Sequence, residues 1–116
     1  MPEIKYDGLG RQITTGEEIK ISAGVFDHGS KGSIGTSAIQ ITTTSVTTIR
    51  GVLIKAAIGN SGTVYVGNSD VTADAVAATD GFELGAGDAV TVEVDNVNKV
   101  FVIGSATGQK VFWLTV

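Results

Sequence analysis

Apolar and polar positions alternate in short blocks along this chain, and Gly or Asn interrupts nearly every block. A period of two with frequent breaks predicts strands and turns, not helices. The clearest case is DAVTVEVD at 88–95, which sets Val90, Val92 and Val94 on one face against Thr91 and Glu93 on the other. That is the pattern of a half-buried antiparallel strand. Further strands are predicted over 18–26, 37–42, 45–58 with a bend at Gly51, 63–66, 99–105 and 109–116. Short strands at regular spacing with turns between them indicate an all-β sandwich or barrel. The last three, joined by Asp95-Asn96-Val97-Asn98 and by Ala106-Thr107-Gly108, are expected to form a meander.

The remaining segments read as connections. GNS occurs at 59–61 and again at 67–69, flanking the strand-prone Val64-Tyr65-Val66. Both copies read as turns, because Gly and Asn enter positive φ cheaply. The stretch DVTADAVAAT at 70–79 is expected to be a loop, with room for a helix of two turns at most. Residues 27–36, DHGSKGSIGT, read as a mobile loop. Residues 1–17 read as an extended N-terminal arm, which leaves 18–116 as a single β-sandwich domain.

Composition narrows the function classes. The chain has 116 residues and no cysteine, so disulfides and thiolate metal sites are excluded. It has no apolar run long enough to span a membrane, and its first residues lack the apolar stretch of a secretory signal. Synthesis in a reducing cytoplasm is expected. Charged residues make up 17% of the chain, below the usual quarter of a soluble domain, which suggests that a partner covers part of the surface. Residues 1–50 balance five basic against five acidic groups, whereas 51–116 hold three basic and seven acidic. There is no Lys/Arg cluster of the kind that nucleic-acid binding requires.

No catalytic constellation is legible, and the chain is not expected to be an enzyme. The one histidine, His28, lies beside Asp27 and Ser30 without a nucleophile elbow. The acids Asp70, Asp74, Asp80, Glu83 and Asp88 lack the ligand spacing of a calcium loop and read as solvated surface groups. GSATGQK at 104–110 departs from a phosphate loop, since Gln109 separates Gly108 from Lys110 and a strand follows. No metal or cofactor site is expected. Alternation puts Phe112 and Trp113 on opposite faces, so one of them is free to meet a partner. Tyr65 and Trp113 are the candidate exposed aromatic contacts, and in a carbohydrate-binding module they would stack on sugar.

The runs GTVYVGNSDVT and GFELGAGDAVTVEVDNVNKVFVIGSATGQKVFWL resemble a pattern in small structural proteins of tailed bacteriophages. The resemblance spans about residues 51–115. It implies a small jelly-roll-like module on the virion, of the capsid decoration (cement) or head-fibre type. A module of this kind binds the major capsid protein of the phage head, commonly as a homotrimer, and sits on the capsid surface. Residues 1–50 match no pattern, and attachment specificity would lie there. Main-chain pairing of an arm with a capsid-protein sheet needs no pocket. Pro2, Ile4, Tyr6, Leu9, Arg11 and Ile13 are accordingly the candidate capsid contacts. The alternatives are a carbohydrate-binding adhesion module and a tail- or fibre-associated virion protein.

Overall fold

The structure, a computed structural model, describes residues 26–74 and 77–116. The described residues form eight strands: β1 His28–Ile34, β2 Ile39–Gln40, β3 Val52–Ala56, β4 Val64–Gly67, β5 Phe82–Leu84, β6 Ala89–Val92, β7 Phe101–Gly104 and β8 Gln109–Thr115. They form two four-stranded sheets, sheet A in the order β1-β8-β3-β6 and sheet B in the order β2-β7-β4-β5. Every ladder is antiparallel. The chain is thus all-β, a two-sheet sandwich with the strand order of an eight-stranded jelly roll. The expected extended arm, and all of the predicted strand at 18–26 except Phe26, lie outside the described residues.

The alternation read from the sequence builds the core. Val52, Ile54 and Ala56 of β3 point inward with Val111 and Trp113 of β8, and they meet Val64, Val66, Leu84 and Val102 from sheet B. Val90, Val92 and Val94 pack against this cluster but stay half-buried, because β6 is the last strand of its sheet.

Four expectations need correction. The glycine- and serine-rich segment 27–36 is mostly strand β1, not a mobile loop. Pairing with β8 overrides its weak strand propensity, and Trp113 lies directly over Gly29, where a Cβ would come within 2.6 Å of the indole. Its one irregularity lies between Lys31 and Ile34, where the register shifts and Ser33 takes φ 53°. The long segment 45–58 is strand only over β3, and before it only Thr47 forms a bridge, to Asn96. At Gly51 a Cβ would sit 2.1 Å from the Val92 carbonyl oxygen, so the two backbones approach as only glycine allows. The last three strands are not a meander, since β6 and β8 belong to sheet A and β7 to sheet B. Periodicity marks a strand but not the sheet it joins. Finally, Phe82–Leu84, which no predicted strand includes, is strand β5.

Side chains fasten the connections. Gln109, completely buried, accepts from the Gly62 N–H (2.8 Å) and donates to Ser61 Oγ (3.1 Å) and the Thr107 carbonyl (2.7 Å). The residue that spoils the phosphate-loop pattern therefore ties the first GNS turn to the β7–β8 turn. Asn60 of that turn exchanges two 2.9 Å bonds with the Lys110 backbone and so extends the ladder. Positive φ, expected at the GNS glycines, occurs instead at Gly87 (84°) and Gly108 (79°). The predicted Asp95–Asn98 connection carries a 3-10 turn, Val97–Lys99, capped by Asn96, whose side chain also accepts from the Val46 N–H at 2.9 Å.

Candidate interaction face

The two sheets treat their outer faces differently. On sheet B, Tyr65 and Ile103 point away from the main core yet are buried, in a second cluster with Val71. Val71 belongs to the β4–β5 connection, which folds back over the sheet and presses Ala73 against the same cluster. The cover is held by Asp80. Its carboxylate accepts from Thr72 Oγ1 (2.6 Å), the Asp74 N–H (3.1 Å) and the Ala77 N–H (3.0 Å). The Thr72 hydrogen bond is the main cause that holds the Asp80 pKa below the ordinary aspartate value. Burial, and then the Glu83 carboxylate 3.3 Å from its hydroxyl, keep the Tyr65 phenol above its usual pKa.

On sheet A no described residue covers the outer face. Strand register places two rows across it. One row runs His28, Leu114, Leu53, Thr91, and the other Ser30, Phe112, Lys55, Ala89. Leu53 and Leu114 are half-buried, while Phe112 is 46% exposed although it stands mid-sheet. Together these three line an open apolar depression of about 350 Å³. Lys55 stands beside it, and Lys110 Nζ lies 4.9 Å from the centre of the Phe112 ring. The face is an apolar stripe flanked by two cations, on a chain whose second half is otherwise acidic. Such a surface can dock a protein whose own patch is apolar and edged with carboxylates.

The candidate residues from the sequence fare unequally. Pro2, Ile4, Tyr6, Leu9, Arg11 and Ile13 lie outside the described residues. Tyr65 and Trp113 are not exposed contacts; they are 5% and 7% accessible, one under the loop cover and one in the main core. Phe112 and Trp113 do take opposite faces, and Phe112 is the one that faces out. Leu53 and Leu114, which line the depression, were not among the sequence candidates. For Leu114 the signal was present in the run QKVFWLT, which is apolar on both of its faces, although a strand with one solvated face should not be, and Leu53 is its cross-strand partner. Two further acids of 70–88 serve turns: Asp74 accepts from the Ala77 N–H, and Asp88 from the Gly85 N–H at 3.0 Å. Among the described residues, no three of His, Cys, Asp and Glu come together as a metal-ligand set.

No family model matches the chain, and no solved structure matches it. A pirin-like protein of Caulobacter vibrioides is 31% identical to it over 103 residues, which is 84% of this chain. The chain spans only 37% of the length of that relative. The likeness therefore concerns a part of the larger protein.

Proposed function

We propose that the chain is a structural protein of a tailed-phage virion, most specifically a capsid decoration module that binds the major capsid protein of the mature head as a trimer and stabilises it. The observation that carries this reading is the outer face of sheet A, which no described residue covers, an apolar stripe over Leu53, Phe112 and Leu114 between Lys55 and Lys110. The phage-like sequence pattern over about residues 51–115 gives that face its context. Jelly rolls serve viral capsid, lectin and cupin modules alike, so the fold by itself selects none of them. A cement protein acts by mass action: it binds the mature lattice better than the broken one, and so it opposes rupture. In this reading the arm residues Pro2 to Ile13 add a second contact, and no catalysis is involved. The carbohydrate reading loses its support, because Tyr65 and Trp113 are buried.

The test is co-sedimentation of the recombinant chain with heads of the source phage lacking it. Phe112→Asp should lower occupancy at least tenfold while leaving the urea midpoint unchanged. Full occupancy by both Phe112→Asp and a chain lacking residues 1–15 would refute the reading.

A further inference from the structure

β5 and β6 end the two sheets, and no described strand lies beyond either of them. β6 pairs only with β3, and its other edge meets no described strand. The hydrogen-bond phase of that edge is fixed by its neighbours. Ala56 lies opposite Asp88 and donates to its carbonyl at 2.8 Å, so Val90 and Val92 also turn their backbone groups toward β3. Ala89, Thr91 and Glu93 turn theirs outward, where no described backbone group meets them. Between this edge and β5 runs a groove of about 390 Å³, walled by Val90, Val92 and Val94 on one side and by Val66 and Phe82 on the other. Phe82 is 60% exposed there. The rim is acidic. Glu93 borders the groove, and Asp70 and Asp80 border the cleft that adjoins it at Phe82. The one cation lining it, Lys99, is paired with Asp95 at 2.8 Å.

We infer that the β6 edge is an acceptor for an extended segment of a partner protein, one that alternates apolar with basic residues. Three features select this occupant. The backbone groups that no described residue meets ask for a strand, the groove takes every second side chain, and the carboxylates favour Lys or Arg on the remaining ones. A second copy of this edge would bring its own Glu93 and Asp88 to the same acidic rim and fits less well. The inference does not depend on the capsid reading: Ala89 and Thr91 carry their side chains on the outer face of sheet A, but the acceptor is their backbone edge and the groove beside it, not the depression at Leu53, Phe112 and Leu114.

The probe is a synthetic heptapeptide of alternating lysine and valine, capped at both ends, titrated into the full-length ¹⁵N-labelled chain. The amides of Ala89, Thr91 and Glu93 should shift together. A glutamate-valine peptide should bind at least tenfold more weakly, and raised salt should weaken the lysine peptide severalfold. Thr91→Pro removes an outward N–H and blocks the edge while sparing the β3 ladder, as proline does on edge strands, and it should weaken binding at least tenfold. Phe82→Ser, at an exposed position that leaves the core intact, should weaken it through the groove alone. Unmoved edge amides, or Thr91→Pro and Phe82→Ser variants that bind as the parent does, would overturn the proposal. So would a fall in solution mass from oligomer to monomer in Thr91→Pro without peptide binding, which would assign the edge to a second copy.

Discussion

The outer faces of the two sheets present the same kind of strand in opposite circumstances. Tyr65 and Ile103 on sheet B and Phe112 and Leu114 on sheet A are all apolar residues pointing away from the main core. The first pair is covered by the chain's own β4–β5 connection; the second is covered by no described residue. An outward apolar row therefore signals a need for cover, and the sequence of the strand does not say who supplies it. Where the cover is intramolecular, it counts toward folding stability, at about 25 cal/mol per Å² of apolar surface removed from water. Where it is not, the same surface is left for association.

The comparison yields a matched pair of substitutions, and the first of them has the largest expected effect. Ile103→Asp places a carboxylate under the cover and should cost at least about 3 kcal/mol or unfold the domain. Urea titration would show it, and a loss below about 1 kcal/mol would mean that sheet B is not sealed. Gln109→Ala affects both sheets through the turn they share. It leaves the Gly62 N–H without its acceptor and opens a small void, with an expected cost of about 2–3 kcal/mol by the same titration. Val71→Ala thins the cover without adding charge and should cost about 1–2 kcal/mol. Amide exchange should then quicken over 71–74 and 77–81, with β8 unchanged.

Asp80 makes the cover of sheet B sensitive to acid. Its folded pKa lies below its unfolded one, so its contribution is complete above about pH 4 and fades as pH falls through the lower, folded value. The Ala77 amide should therefore lose protection below about pH 4. In Asp80→Asn that amide should be less protected at neutral pH and should show little further change on acidification. The smallest effect belongs to the other half of the matched pair: Phe112→Asp, at an exposed position, should change folding stability by no more than about 0.5 kcal/mol.

Much of this architecture was legible, because strict alternation at 88–95 assigns the inward residues Val90, Val92 and Val94 correctly whichever sheet the strand joins. What escaped the reading was decided between segments. HGSKGSI carries little strand propensity, and only its ladder with β8 makes it extended. Tyr65 looked like an exposed aromatic because the residues that bury it are a separate stretch, with Val71 supplying the apolar contact and Asp80 the anchor. The face itself was half legible. The opposition of Phe112 and Trp113 follows from alternation, but which of them points inward depends on the Gly29 opposite Trp113.

The pairing of β1 with β8 has a mechanical side. Asp27 and Thr115 are joined by backbone and side-chain bonds of 2.8 to 2.9 Å, which brings residues 27 and 115 to the same end of one antiparallel ladder. A force that pulls those two positions apart loads the ladder one rung at a time, as a zipper is opened, and does not shear its rungs together. Pulled along that direction, the domain should yield by peeling its outermost strand. A load applied through the broad face of sheet A is instead shared among β8, β3 and their neighbours at once. If this module reinforces a shell under internal pressure, contact through the face is the geometry in which it can bear the strain.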